Sequence, residues 1–437
     1  MTSAPLPADL QQLQDAARDA WLYTLPLIEM ATTRSRAAAR GARLNTLYHV
    51  HKLADHRARE VTTPNNDTLY STVQLDLSQG PVTLTLPATG ERYLSVALMD
   101  AYTNNFAILG SRTTGPDGGA FVLFGPQEAS PVVQAQAPTI VRAPTNMVWA
   151  LARLLVDGPE DMAAAKAVQA GLSLQGPDLG LAPAYAPRTA DWQDYFASAD
   201  ALLAANPPPA TDLGLLRKIA VLGLGSGHFD GRQFSPQAGA AIAAGVAAAR
   251  TILRGGGALG GTLSGTLSGT TAVNGWTYPK ATLGDFGQDY TYRAGVALTG
   301  LAALPPAEAM YMGAVNPLGG AFAGTSNWRL HFAAGQQLPV HSFWSLSLYE
   351  ATPEGQFFFT QNALDRYAIG DRTPGLVYGE DGSLDLWIGH TSPGAAHENN
   401  WLPAPSGQFV LCMRAYLPKA ELLDGSYRLP PIQLLDA

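Results

Sequence analysis

One cysteine, Cys412, stands in a chain of 437 residues, so neither an internal disulfide framework nor a cysteine-based zinc site can form. It lies in the strand-like run FVLCMRAY, where a buried, inert thiol is the expected role. Charge is also scarce. Asp, Glu, Lys and Arg make up 14% of the chain, the net charge is −8, and the basic residues are scattered, which excludes an electrostatic footprint for nucleic acid. The longest apolar stretch, 238–249, is 12 residues of mostly Ala and Gly, too short and too weakly apolar to span a bilayer. The N-terminus has no basic segment followed by an apolar one, so no secretory signal is visible; a cytoplasmic protein is expected, or a periplasmic one if a signal peptide has been removed. Familiar catalytic signatures are missing too. GLGSGHF at 223–229 does not fit the G-x-S-x-G elbow, and no P-loop or dinucleotide fingerprint occurs.

What the chain does have is punctuation: 45 Gly and 32 Pro, which mark many turns and hence many short strands. Its length calls for two domains or more. Residues from 9 to about 41 show helical three-four spacing (Leu10, Leu13, Ala17, Ala20, Trp21), with Pro26 expected to kink or restart the helix. Beyond residue 61 the period drops to two in TVQLDL, PVTLTLP, YLSVALM and AFVLF, and a further strand is expected at 147–156. Pro159 and Ser235-Pro236 open two Ala-rich helices. The Gly/Ser/Thr tract 255–271 reads as a flexible linker. Strand-like runs return in WRLHFA, SFWSLSLYE, SLDLWIG and QFVLCMRAY. The expected fold is mainly β with helical insertions: two antiparallel β-sandwich, jelly-roll-like domains joined by an α-helical middle. The boundaries are 1–156 for the N-terminal β-rich domain with its leading helix, 157–272 for the helical region and linker, and 273–437 for the C-terminal sandwich.

Several segments together resemble a known family. Asn45 with His49, PNNDTLYS, and RYLSVALMDAYTNNFAILGSRTTG are similar to the first half of a bacterial two-domain family of unknown function, DUF 1254 followed by DUF 1214. GDFGQDYTYRAGVAL, EAMY, FWSLSLYE, RYAIGDRTPGL, DGSLDLWI and NWLPAP resemble the second half. The resemblance implies β-sandwich or jelly-roll domains and carries no shared mechanism.

Three clusters offer chemistry. Asn65, Asn66, Asp67 and Tyr70 put a carboxylate among amides and a phenol. That set could take a sugar, or a hard cation such as calcium or magnesium through oxygen ligands; the plain alternative is an Asx-rich turn. Asp100, Asn104, Asn105 and Arg112 lie at and after a strand end, where an Asp–Arg pair would either bind ligand or tie a loop to the core. Asp371 and Arg372, among Gly and Pro, could clamp a carboxylate or form a solvated turn. Trp401 belongs to an aromatic supply suited to stacking on sugars or to core packing. His49 and His51 form H-x-H, but in a segment read as loop or helix.

Two functions follow. The first is a hydrolase- or lyase-type enzyme acting on a small or oligomeric polar substrate in an interdomain cleft. Asp67, Tyr70, Asp100 and Arg112 would be catalytic, and Asn65, Asn66, Asn104, Asn105, Asp371, Arg372 and Trp401 would bind substrate. The second is a non-catalytic carbohydrate-binding or structural assembly protein. No cofactor is expected beyond that divalent cation, and the partners are a small molecule or oligosaccharide, with homo-oligomers compatible.

Overall fold

Alternation builds the first half. A computed structural model describes residues 8–59, 62–127, 139–254, 272–318, 321–352 and 356–435; the proposed linker, 255–271, lies outside the described residues. The strands of the first half are β1 (Tyr48–Val50), β2 (Thr68–Asp76), β3 (Val82–Leu86), β4 (Leu94–Asp100), β5 (Asn105–Gly110), β6 (Gly119–Phe124), β7 (Thr139–Arg142), β8 (Met147–Leu155) and β9 (Ser173–Gln175). One sheet has the order β1-β2-β8-β4-β5 and a second the order β7-β6-β3-β9. Val73, Leu75, Val96, Leu98, Ala150 and Leu154 from the first meet Val82, Leu84, Phe121 and Leu123 from the second in one apolar core. Period-two placement sends the intervening residues of β2, β4 and β8 to the opposite face. That opposite face is itself covered, so β4 is buried along its whole length, which accounts for its nearly unbroken apolar run.

The second half repeats this plan with β10 (Trp276–Thr277), β11 (Ala309–Ala314), β12 (Phe322–Ala323), β13 (Asn327–Phe332), β14 (Val340–Ala351), β15 (Phe357–Phe358), β16 (Ala368–Gly370), β17 (Leu384–Gly389), β18 (Trp401–Pro403), β19 (Gln408–Pro418) and β20 (Ile432–Leu435). A sheet built on β10-β11-β19-β14-β15, with β12 and β16 attached, packs against β18-β17-β13-β20 around Leu330, Phe332, Trp344, Leu346, Leu386 and Leu411. Pairing is antiparallel except for β6 with β7 and β17 with β18, which run parallel. The fold is thus mainly β with helical insertions; among the described residues the two larger sheets are wholly antiparallel and each four-stranded sheet holds one parallel pair.

The helices form their own layer. The helix Ala8–Ala39 continues through Pro26, with Leu25, Leu27 and Ile28 buried around it, and packs with helices Trp192–Ala205, Pro236–Leu253 and Tyr290–Thr299 in a single core. Ser235 caps Pro236–Leu253 by accepting from the Ala238 N–H at 3.2 Å. Segment 48–50, read from sequence as loop or helix, is the edge strand β1. It places the His49 and His51 rings 5.8 Å apart, with their Nδ1 atoms on Ser71 and Gln169.

Candidate functional site at the seam between the two β units

The two β units meet through Tyr93, Ala97, Ile108 and Leu155 on one side and Leu304, Ala309, Phe343 and Tyr416 on the other. Strand register gives both faces the same row of side chains. In the first unit Tyr70 lies opposite Arg153, Arg153 opposite Ser95, and Ser95 opposite Gly110. In the second, Tyr311 lies opposite Arg414, Arg414 opposite Ser345, and Ser345 opposite Gly370. The flanking sequences match as well: Asp67-x-x-Tyr70 with Glu308-x-x-Tyr311, and GSRTTG from Gly110 with GDRTPG from Gly370. The two halves are copies of one motif.

Their charges are exchanged across the seam. Arg112 of the first copy donates from Nε to Glu308 of the second at 2.5 Å, and Glu308 also accepts from the Tyr93 hydroxyl at 2.8 Å. Reciprocally, Arg372 of the second copy faces Asp67 of the first. This second corner is built differently. Phe343 stands where the first corner has Tyr93, and its ring lies 4.0 Å beneath the Arg372 guanidinium. Asp67 accepts from Ser345 Oγ at 2.7 Å, but Arg372 Nη2 is 3.7 Å away. Asp371 stands where the first copy has Ser111, 3.6 Å from Arg372 Nε, and accepts from the Trp344 N–H at 3.2 Å. Burial raises the Asp371 carboxyl from the ordinary 3.8 to about 6, against the opposing pull of Arg372 and with a further push from the like charge of Asp67. Arg372 Nη1 donates to the Val156 carbonyl at 3.2 Å, whereas the buried Nε has no hydrogen-bond acceptor. One corner is closed by short bonds; the other is loose and keeps donor capacity.

Other expected residues fall into place around this seam. Asn65 donates from Nδ2 to the Tyr416 hydroxyl at 2.6 Å and accepts from the Asp67 N–H at 2.6 Å, so it joins the units and turns the loop at once. The Oδ1 of Asn66 is buried without a partner. Tyr70 faces Arg153, whose guanidinium carbon is 5.6 Å from its ring. Sequence reasoning passed over Arg153, Arg414, Tyr311, Ser345 and Glu308. The repeated D/E-x-x-Y and G-x-R-T strings were the signal that could have found them.

Asp100 and Arg112 do not pair. They sit at opposite ends of the β4–β5 hairpin, because Met99 opposes Asn105 whereas Ser95 opposes Gly110. Asp100 accepts from the N–H groups of Tyr102 and Asn104 at 2.9 Å each and from Asn104 Nδ2 at 3.1 Å, closing its own turn. Its burial raises the carboxyl to about 6, and the charge that opposes this is Arg293. Asn105 donates to the carbonyls of Gly284 and Ala303, tying the hairpin to the segment that leads into the second unit. Trp401, on β18, accepts from Arg366 Nη1 through its carbonyl at 2.8 Å. With Trp387, His397, Trp328 and Asn327 it lines a separate cleft of about 230 Å³, in which the Trp387 and His397 rings stand 4.5 Å apart. Among the described residues no three His, Cys, Asp or Glu side chains group as a metal set. Among them, too, no helix is long and apolar enough to cross a membrane.

A mainly β protein of two duplicated units with a polar seam between them is thereby defined. Residues 44–176 match the model described as protein of unknown function (DUF1254) and residues 308–420 the one described as protein of unknown function (DUF1214). The chain belongs to the two-domain family of unknown function that these models mark. It is similar to the crystal structure of the VPA0106 protein from Vibrio parahaemolyticus, at 25% identity and TM-score 0.73, over 97% of this chain and 100% of that one. An uncharacterized protein from Burkholderia cenocepacia aligns over 98% of this chain and 96% of its own, at 14% identity and TM-score 0.48. No curated protein matches the chain.

Proposed function

We propose that the protein is a hydrolase- or lyase-type enzyme whose two jelly-roll-like units bind a small polar substrate at the Asp67–Asp371–Arg372 corner of the seam. The carrying observation is a half-buried carboxyl, Asp371, which burial raises to about 6, 3.6 Å from an arginine Nε that lacks a hydrogen-bond acceptor. Asp371 is the proton acceptor, because a base poised near the working pH combines ionisation with proton affinity. Arg372 neutralises charge that develops on the substrate, and Asp67, held by Ser345, fixes Arg372. Asp100 and Arg112, engaged in their own turn and ion pair, have no part in this chemistry.

The test is turnover across a panel of small esters, amides, glycosides and hydroxy acids. Asp371→Asn should lower the rate of any substrate found by about 10²–10⁴-fold. The wild-type rate should rise with pH through about 6 as Asp371 loses its proton. A rate untouched by Asp371→Asn would remove this corner from the chemistry. The Trp387–His397–Trp401 cleft favours a second reading, a carbohydrate-binding module, since aromatic rings lining a cleft suit sugar faces. Oligosaccharide binding abolished by Trp387→Ala, with no turnover of any panel member, would select that reading.

A further inference from the structure

Arg153 and Arg414 hold equivalent positions in the two copies, yet only Arg153 keeps a buried nitrogen without an acceptor. Arg414 donates from Nη1 to Ser347 Oγ at 2.6 Å and from Nη2 to the Thr63 carbonyl at 3.2 Å. Arg153 donates from Nη2 to the Ala302 carbonyl at 2.8 Å, while its Nη1 has no acceptor although the residue is only 6% exposed. The cause is one side chain. Ser347 follows Ser345 by two positions in the second copy, and the position two beyond Ser95 in the first is Ala97. A methyl group there takes away the hydroxyl that accepts from the matching arginine.

A buried guanidinium nitrogen without an acceptor is costly, and the titratable groups that act most on Arg153 are phenols rather than carboxylates. The phenols of Tyr70, Tyr311, Tyr416 and Tyr93 surround it. Burial pushes Tyr311, Tyr416 and Tyr93 upward, so at neutral pH they present hydroxyl dipoles and no negative charge. Arg34 and Arg293 also keep unpaired nitrogens, but each has a carboxylate near it, Asp76 and Asp100 respectively. Tyr70 and Tyr311 retain partial exposure even though Tyr311 packs against three core clusters.

We propose that Arg153 Nη1 anchors the carboxylate of a small organic acid bound in the seam, with Tyr70 and Tyr311 beside it. The proposal rests on reading the seam as the functional site and names its substrate class. One open guanidinium nitrogen flanked by phenol hydroxyls matches the two oxygens of a carboxylate, whereas a phosphate dianion calls for more donors and more positive charge.

Calorimetry on the full chain at constant ionic strength, with acetate, lactate and benzoate as probes against acetamide and inorganic phosphate, tests it. At least one carboxylate should bind, and the amide and phosphate should not. Arg153→Gln should weaken that binding by about ten- to a hundredfold. Because Arg153→Gln disturbs a buried position, Ala97→Ser is the second variant: it restores the missing acceptor, should fold at least as well, and should also weaken the carboxylate. Carboxylate binding unchanged in both variants, or phosphate bound as well as carboxylate, overturns the inference. Turnover of uncharged substrates alone overturns it and leaves the catalytic proposal standing. Carboxylate binding sensitive to both variants, in a protein that turns over nothing, supports it and overturns the catalytic proposal.

Discussion

Glu308 has no exposed surface, and its carboxylate is held by Arg112 Nε and the Tyr93 hydroxyl. Removing Arg112 leaves that charge buried with a single neutral donor. Arg112→Ala should therefore lower stability by about 3 kcal/mol, partly relieved by solvent because the arginine itself is about a third exposed. Glu308→Gln in the same chain should recover much of the loss, with a coupling above about 1 kcal/mol in urea denaturation. Additive effects would mean that the pair contributes nothing as a pair. Arg112 was visible in the sequence as a functional candidate, and so was Asp100. What the sequence could not display is that a hairpin holds them a strand length apart, and that Arg112 finds its partner in a residue 196 positions away.

At the scale of elements, the open corner depends on how closely β16 approaches β14. A Cβ on Gly370 would lie 2.1 Å from the Trp344 carbonyl oxygen, and one on Gly110 lies equally close to the Leu94 oxygen in the other copy. Gly370→Ala should push β16 outward, displace Asp371 and Arg372 from Asp67, and cost about 1–3 kcal/mol through overpacking. Thermal melts and turnover should fall together. An unchanged melt with unchanged activity would show that this contact does not position the corner. The strands themselves were legible because β3 alternates in burial residue by residue and β2 and β17 do so over most of their length. Helix Tyr290–Thr299 was not, since its capping Asp289 and buried Arg293 resemble turn chemistry until the helical layer encloses them. The duplication was present in the letters GSRTTG and GDRTPG. Its meaning was not, because charge exchange between copies is set by how the sheets face each other.

The whole molecule is two copies of one β motif that have diverged at matched positions. Ser347 against Ala97 turns a satisfied arginine nitrogen in one copy into an open one in the other, Tyr93 against Phe343 replaces a hydroxyl donor with an aromatic ring, and Ser111 against Asp371 replaces a hydroxyl with a carboxylate beside Arg372. The closed positions join the units, with a shared apolar core behind them; the open ones gather along the seam. The competing location is the aromatic cleft of the second unit, which owes nothing to the duplication. A crystal structure of the full chain with the small carboxylate that stabilises it most decides between them. The expected result is ligand density in the seam, with one carboxylate oxygen at hydrogen-bond distance from Arg153 Nη1 and the remainder directed toward Asp371 and Arg372. Density confined to the cleft between Trp387, His397 and Trp401, with the seam unchanged, would contradict it.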